Sequence, residues 1–227
     1  MNVEFRDLGT MAYGQCWALQ RSLFDALCAA KLSRTQPDGE AGTVLVVEHP
    51  PVYTLGKSGN PANMLLSEER LHSMGAELYR IDRGGDITFH GPGQLVCYPI
   101  IDLERVGLGV RSYVDRLEQT VIDLAAEMGI EAHRSEGASG VWIGEGPTLR
   151  KLCALGVKAS HSVTMHGLAL NVATDLRWFD MINPCGFADR GTTSLRRELG
   201  REVTINEVKE PFINCLSKNL NVKIYKN

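Results

Sequence analysis

Residues 83–94 read Arg-Gly-Gly-Asp-Ile-Thr-Phe-His-Gly-Pro-Gly-Gln. Four of these twelve residues are glycine, which lets a backbone approach a ligand closely and reach positive φ. Polar side chains lie within or just before a short predicted strand, Ile87 to His90. They are Arg83, Asp86, Thr88 and His90. The pattern predicts a binding surface, and a glycine-rich hairpin with solvated side chains explains it equally well from the residues alone.

Length and composition favour one ordinary globular domain over residues 1–227. The chain has 227 residues, of which 44% are hydrophobic and 22% charged, so a substantial core is available. Lysine and arginine number 24 against 27 aspartate and glutamate residues, a formal net charge of −3. This balance argues against a nucleic-acid binder with a broad cationic surface.

The ends and the apolar runs predict a cytoplasmic protein that does not enter a membrane. The first seven residues carry two acids and no apolar segment, unlike a secretory signal, and no apolar run approaches the ~20 residues that span a bilayer. No C-x-x-C pair occurs, so neither a zinc ribbon nor a disulfide framework is indicated. Four cysteines are interpreted as small buried hydrophobic residues: Cys16, Cys28, Cys97 and Cys215.

Hydrophobic periodicity predicts an α+β fold with a mixed or antiparallel sheet and flanking helices. Two long helices are expected at residues 13–34 and about 110–128, and Thr204 with Glu207 forms a capping box for a last helix, which Pro211 should kink or split. Strands are expected in eight segments: 43–48, 52–55, 77–81, 87–90, 95–101, 140–143, 152–159 and 163–172. Ser67 is a candidate N-cap for a short helix that ends near Gly75, and a short helical turn is expected at 175–182.

A second candidate feature is Asn183-Pro184-Cys185-Gly186-Phe187. A thiol between a proline and a glycine at a constrained loop is a candidate nucleophile, provided that a cation or base activates it. A buried turn cysteine is the simpler alternative from the residues alone.

A third feature is a pair of apolar strands built from small residues, with charged groups at the entry of the first. The two strands are Arg150-Lys151-Leu152-Cys153-Ala154-Leu155-Gly156-Val157-Lys158 and Thr164-Met165-His166-Gly167-Leu168-Ala169-Leu170-Asn171. Small side chains on a sheet face leave room for an acyl chain, or equally for a packed helix.

Together the three features resemble the lipoate-protein octanoyltransferase family, over roughly Thr43 to Gly200. The resemblance implies the fold of the biotin and lipoate protein ligases, and an acyltransferase that moves octanoyl from acyl-carrier protein to a lysine. The implied acceptors are lipoyl domains of 2-oxoacid dehydrogenases and the glycine cleavage H protein. No cofactor, metal, nucleic acid or membrane is implied.

The resemblance also assigns residues. Cys185 is the implied acyl-thioester nucleophile and Lys151 its catalytic partner. The implied substrate contacts are Arg83, Gly84, Gly85, Asp86, Ile87, Thr88, Phe89, His90, Ala154, Leu155, Gly156, Gly167, Leu168 and Ala169.

The chain departs from the family pattern at several positions. Phe89 replaces a tyrosine common there, and Gly144 to Arg150 lengthens the approach to the lysine. Lys158 is a rival for the role of Lys151, which is preferred because it keeps the family spacing to Ala-Leu-Gly. Cys153 is expected to pack. Five arginines are candidates for docking acidic carriers, with a solvated charged face as the alternative: Arg150, Arg190, Arg196, Arg197 and Arg201.

Two other functions stay open at this point. One is an ATP-dependent lipoate or biotin ligase on the same fold, which would need no thiol nucleophile. The other is a non-catalytic module that only docks acyl carriers or lipoyl domains.

Overall fold

The computed structural model describes residues 1–183 and 191–226. Its strands are β1 Asn2–Thr10, β2 Glu40–Glu48, β3 Val52–Leu55, β4 Glu77–Arg80, β5 Ile87–His90, β6 Gln94–Ile101, β7 His133–Ser135, β8 Ala138–Ile143, β9 Arg150–Ser160, β10 Val163–Asn171, β11 Gly191–Thr192 and β12 Lys223–Lys226. Its helices are α1 Tyr13–Ser33, α2 Glu68–Ser73, α3 Val110–Glu127, α4 Leu195–Leu199 and α5 Ile205–Leu220, with 3₁₀ turns at Pro61–Asn63, Gly146–Thr148 and Leu176–Met181.

The main sheet is mixed and largely antiparallel, as the sequence predicts. Its order is β12-β1-β2-β6-β10-β9-β8-β7, with β11 added beside β9. The pairs β1–β12, β1–β2 and β9–β11 are parallel, and the remaining described pairs are antiparallel. A second sheet, β4-β3-β5, contains residues 87–90 of the glycine-rich segment as its strand β5.

Both faces of the main sheet are covered by helices, and the alternation along β2 explains how. Val44 and Val46 join the core formed with α3 and α5, whereas Leu45 and Val47 join the core formed with α1. Because successive side chains of a strand point to opposite faces, one apolar run supplies both cores. This explains why β2 and β6 are continuous hydrophobic stretches in the sequence.

A tight turn fixes the register between β9 and β10. Ser160 pairs with Val163, so the loop consists of His161 and Ser162, whose φ angles are 51° and 60°. Two positive φ values are typical of the type I′ turn, whose twist matches that of the two strands.

The sequence-based prediction for the last helix was wrong at Pro211. Helix α5 is continuous through this proline, and Thr204 caps its first turn by accepting a hydrogen bond from the backbone of Glu207. The buried side of α5, which includes Val208 and Phe212, packs against α3 and stabilises the helix against the lost backbone donor.

Several short elements were not predicted, namely β1, β7, β11, β12 and α4. Strand β1 has the alternation of a half-buried strand, with Val3 and Phe5 in the core and Glu4 between them. Because only these two of its residues are buried, its apolar signal in the sequence is weak. Among the helices within residues 1–183 and 191–226, none combines the length and the apolar character needed to cross a bilayer.

Candidate active site

A cavity of about 370 Å³ lies between the main sheet and the loop that precedes β5. Most of the residues assigned by resemblance line it: Arg83, Gly85, Asp86, Ile87, Thr88, His90, Lys151, Ala154, Leu155, Gly156, Gly167, Leu168 and Ala169. Segments that are far apart in the chain therefore meet around one space. Gly84 and Phe89 are not among the lining residues, and Cys185 lies outside the described residues.

The floor of the cavity is a run of paired small residues on two neighbouring strands. Ala154 pairs with Ala169, and Gly156 pairs with Gly167. A Cβ atom on Gly167 would lie 2.1 Å from the backbone oxygen of Cys97, and one on Gly156 would lie 2.6 Å from that of Gly84. Glycine is therefore required at both positions for neighbouring backbone to pack this closely.

A β-bulge turns Lys151 toward the cavity. On β8, Val141 pairs with Cys153 and the next residue, Trp142, pairs with Lys151, so β9 has one extra residue at this point. Leu152 and Cys153 are consecutive, yet both are buried in the same core. In a regular strand the side chains of Cys153 and Lys151 would point to the same face, so Lys151 would enter that core. The bulge turns the Lys151 side chain to the opposite face.

Lys158, the rival lysine, has a different environment. Its Nζ lies 2.6 Å from a carboxylate oxygen of Asp82, and it is absent from the cavity lining. The other Asp82 oxygen lies 3.0 Å from Nε2 of His166. These contacts hold the pKa of Asp82 at about 2 against the effect of its partial burial. Lys158 thus anchors the loop that precedes Arg83.

The guanidinium of Arg83 is buried and holds the glycine-rich segment to β3. It donates to the backbone oxygen of Thr54 at 2.7 Å and to the hydroxyl of the same residue at 3.0 and 3.3 Å. A further bond of 3.0 Å goes to the backbone oxygen of Gly84. Arg83 therefore shapes one wall of the cavity as well as lining it.

A chain of buried hydrogen bonds continues from this wall. Nδ1 of His90 donates to Oε1 of Gln94 at 2.8 Å, and Nε2 of Gln94 donates to Oδ1 of Asn171 at 2.9 Å. Nδ2 of Asn171 then donates to the backbone oxygen of Thr193 at 3.0 Å. Because His90 is buried, its pKa falls to about 3 and the ring is neutral.

Sequence reasoning did not identify four aromatic residues and one amide that line the cavity, which are Tyr13, Tyr98, Trp142, Phe179 and Asn171. Tyr98 bonds Nε2 of His49 at 2.9 Å, and burial lowers the pKa of His49 to about 4. Tyr13 stacks over His90 at a ring separation of 6.1 Å. The aromatic residues gave no sign of a site in the sequence, because aromatic side chains are also common in hydrophobic cores.

Phe89 belongs to a hydrophobic core rather than to the cavity wall. Its ring is fully buried and stacks on Trp178 at 5.1 Å, with an interplanar angle of 5°. Tyr53 and Phe179 contact the same ring. The resemblance-based assignment of Phe89 to substrate contact is therefore replaced by packing beneath β5.

Gly84, which is also absent from the lining, donates its backbone N–H to the backbone oxygen of Val157. This bond ties the loop before β5 to β9.

The thiols in the described residues are poor nucleophiles. Cys16, Cys97, Cys153 and Cys215 are buried, as predicted, whereas Cys28 is half-buried. Burial raises the pKa of Cys16 and Cys153 to about 12 and that of Cys215 to about 11. Within residues 1–183 and 191–226 no group of three or more histidine, cysteine, aspartate or glutamate residues forms a candidate metal site.

The candidate docking arginines are mostly engaged with acids. Arg150 forms two hydrogen bonds with Glu198, at 2.5 and 2.7 Å, and Arg201 lies 2.7 Å from Glu207. Arg196 lies 3.9 Å from Glu202. Arg197 is exposed, and Arg190 lies outside the described residues. The charged-face alternative therefore fits Arg150, Arg196 and Arg201.

Solved structures with the same fold are lipoate and biotin protein ligases. A bipartite lipoate protein ligase from Thermoplasma acidophilum, studied with its E2 lipoyl domain, matches with a TM-score of 0.68 at 16% identity, covering 100% of this chain and 86% of that one. A lipoate-protein ligase A bound with ATP gives 0.70 at 15% identity, covering 100% and 89%. A biotin protein ligase from Aquifex aeolicus gives 0.52 at 15% identity, covering 97% and 70%. The predicted fold class is confirmed.

Sequence relatives define the family more closely. Residues 12–217 match the lipoyl protein ligase A/B catalytic domain, so the chain belongs to this family. An octanoyltransferase from Bacteroides fragilis (strain YCH46) is 55% identical over 207 residues, 90% of this chain and 91% of that protein. An octanoyltransferase from Bacteroides thetaiotaomicron is 52% identical over 224 residues, 98% and 97% of the two chains. The family resemblance of the sequence is confirmed.

Proposed function

We propose that the chain is an acyltransferase that moves an octanoyl group from acyl-carrier protein to a lysine of lipoyl-dependent proteins, through a thioester on Cys185. The activity is supported by the octanoyltransferases that share 52–55% identity with most of this chain. The observation that carries the proposal is the cavity, whose floor is the Ala154–Ala169 and Gly156–Gly167 pairs and whose lining includes Lys151.

The cavity suits an apolar chain with a reactive end. Its small paired residues leave space along the sheet, and Ile87, Leu155 and Leu168 add apolar surface. At ~0.8 kcal/mol for each buried CH₂, the six methylenes of an octanoyl chain contribute about 5 kcal/mol to binding. Lys151 supplies a cation on the same wall.

In the first step the thiolate of Cys185 attacks the carbonyl carbon of the carrier thioester. The new bond joins the carbonyl carbon to the Cys185 sulfur, and the bond to the carrier sulfur breaks. The departing carrier thiolate takes a proton from the ammonium of Lys151. Before this step the positive charge of the ammonium stabilises the Cys185 thiolate. Such stabilisation is needed because a thiol with an ordinary pKa near 8.5 is mostly protonated at neutral pH.

In the second step a neutral lysine amine of the acceptor attacks the enzyme thioester. The neutral Lys151 takes the proton that this amine must lose, an amide forms, and Cys185 leaves as a thiolate. The carbonyl stays activated as a thioester throughout, so no ATP is consumed. Lipoyl domains are the proposed acceptors, in keeping with the lipoate ligase fold, and the glycine cleavage H protein is a second proposed acceptor.

Intact-protein mass spectrometry with octanoyl-acyl-carrier protein tests the proposal. We expect one octanoyl adduct on the wild-type chain that hydroxylamine removes and that Cys185→Ala does not form. An unmodified mass at saturating donor would instead support a docking module.

A second assay separates transfer from ATP-dependent ligation. Cys185→Ala is incubated with ATP, free octanoate and a lipoyl domain, and we expect no octanoylated domain. Retained modification of the domain would favour a ligase that activates octanoate as an adenylate. The matched variant is Cys215→Ala, which removes a thiol on α5 that is not among the cavity-lining residues and should still form the adduct with octanoyl-acyl-carrier protein.

A further inference from the structure

Trp142 forms the surface against which the ammonium of Lys151 rests. The indole is buried, with 2% of the residue exposed, and it lines the cavity. Nζ of Lys151 lies 4.5 Å from the centroid of the Trp142 ring. The two residues are also paired across β8 and β9 at the bulge. The ring and the amine are therefore held together by both backbone pairing and side-chain contact.

The indole is fixed by its own hairpin and by α3. Its Nε1 donates to the backbone oxygen of Ala138 at 3.2 Å. The buried carboxylate of Glu118 accepts a hydrogen bond of 2.9 Å from the backbone N–H of Gly140 and one of 3.1 Å from Nε of Arg134. The β7–β8 hairpin that carries Trp142 is thus tied to α3 on both strands.

The aliphatic part of Lys151 passes close to the same hairpin. A Cβ atom built on Gly140 would lie 3.6 Å from Cε of Lys151. The ring face and the hairpin beside it therefore both confine the Lys151 side chain.

An aromatic face and a carboxylate affect a lysine differently. The face of an indole carries partial negative charge that attracts a cation and fixes its position, without offering a site for its proton. Lys158 shows the other arrangement, since its Nζ lies 2.6 Å from a carboxylate oxygen of Asp82. A lysine that must gain and lose a proton within one catalytic cycle is better served by the ring.

We propose that Trp142 is a positioning residue for acyl transfer, whose indole face holds the Lys151 ammonium at the cavity wall while leaving it able to give up its proton. The inference rests on the proposed function, because it requires Lys151 to act in catalysis. Trp142 itself does not contact the reacting atoms and acts on the reaction only by positioning Lys151.

The decisive comparison changes the charge distribution of the ring and keeps its shape. Trp142→Phe retains an aromatic face, and Trp142→pentafluorophenylalanine has nearly the same shape with the electrostatic pattern of the ring reversed. We expect Trp142→Phe to lower kcat about threefold and the fluorinated variant to lower it about tenfold further, as loss of a partly desolvated cation–π contact implies. Equal kcat values for the two variants would overturn the proposal.

Amine labelling gives a readout that does not depend on catalysis. A brief pulse of acetic anhydride at neutral pH, followed by peptide mass spectrometry, measures acetylation of Lys151 and of Lys158 in the same sample. We expect Lys151 to be labelled several-fold faster in the fluorinated variant than in Trp142→Phe, and Lys158 to be labelled equally in both. A Lys151 rate that does not change would contradict the proposal.

A control elsewhere in the fold tests whether loss of any cation–π pair has this effect. The guanidinium carbon of Arg21 lies 4.7 Å from the Trp17 ring, outside the cavity lining, so Trp17→Phe should leave Lys151 labelling and kcat unchanged. Lys151→Ala separates the two hypotheses. If this variant retains transfer, the catalytic role of Lys151 fails while octanoyl transfer through Cys185 stands. Loss of transfer in Lys151→Ala, together with equal kcat values for the two Trp142 variants, refutes only the role of Trp142.

Discussion

The side chain of Asn171 links the glycine-rich segment to Thr193 and through it to the strand of Lys151. Its Oδ1 accepts from Gln94 at 2.9 Å and its Nδ2 donates to the backbone oxygen of Thr193 at 3.0 Å. The backbone N–H of Thr193 donates in turn to the backbone oxygen of Lys151 at 2.9 Å. One buried amide thus connects two walls of the cavity.

Asn171→Ala should therefore weaken both stability and transfer. The substitution removes the partner of the Thr193 oxygen and one of the two acceptors of the Gln94 amide, which keeps its bond to the backbone oxygen of Phe89. A buried unsatisfied polar group costs about 1–3 kcal/mol. We expect the free energy of unfolding in urea to fall by that amount and octanoyl transfer to slow. Asn219→Ala, which removes a half-buried amide bonded to Asp123 on the helical face, is the control and should cost less. Equal losses in the two variants would argue against a special role for Asn171.

Gly140→Ala should disturb the hairpin beside Lys151. A Cβ at this position would lie 2.4 Å from the backbone oxygen of Cys153, and the φ angle is 112°. Gly129→Ala is a matched control, because its φ is 80° but no atom lies within 4 Å of the added Cβ. We expect the control to lose about 1 kcal/mol of unfolding free energy from backbone strain and Gly140→Ala to lose at least 2 kcal/mol more, with slower transfer. Urea denaturation of both proteins measures the difference.

Ala154→Leu should shorten the acyl cavity. Its side chain faces the space beside Ala169, so the added carbons compete with the terminal methylenes of an octanoyl chain. Displacing two methylenes costs about 1.6 kcal/mol, which corresponds to a rise of more than tenfold in KM for the octanoyl donor, while a hexanoyl donor is less affected. Ala159→Leu, at an exposed position on the same strand, should change neither value. Unchanged preference between the two donors in Ala154→Leu would show that the chain lies elsewhere.

Acidification should destabilise the fold through two buried histidines. Burial lowers the pKa of His49 to about 4 and that of His90 to about 3, whereas both titrate near 6.5 when unfolded. The unfolded chain thus binds more protons below pH 6.5, so their contribution to stability is complete above that pH and is lost as the pH falls toward 4 and 3.

Urea unfolding at pH 7 and pH 5 measures this effect. We expect His49→Gln to reduce the difference in unfolding free energy between the two pH values by about 1–2 kcal/mol, because one of the two titrating groups is removed. His72→Gln, at an exposed position, should leave the difference as in the wild type. A wild-type protein equally stable at both pH values would contradict the prediction.

Much of the fold follows from local patterns in the sequence. The long helices and the caps at Ser67 and Thr204 follow from periodicity and capping chemistry, as do five strands of the main sheet: β2, β6, β8, β9 and β10. Strand β1 was missed because only two of its residues are fully buried. Pro211 was judged by its local effect, and the packing of α5 outweighed it.

The site was predictable only where a motif marked it. The resemblance implied a catalytic role for Lys151, which stays a prediction. That Lys151 lines the cavity depends on a bulge, an irregular pairing between β8 and β9 that the sequence does not reveal. Trp142 and Asn171 gave no signal, because a buried aromatic residue and a strand-end amide are common in any core. Their contribution arises from which neighbours the topology brings to them.

The two-residue connection between β9 and β10 has a consequence for engineering. Exposed turns are usually convenient places to insert a tag or to open a chain, since added length there costs little free energy. Here, a single extra residue after His161 would let one strand slide against the other and exchange the sides on which Ala154 and Ala169 are presented. We expect insertions at this remote tip to yield folded protein that has lost its pocket for the fatty chain, which makes the length of the turn as restricted as the residues of the reaction centre.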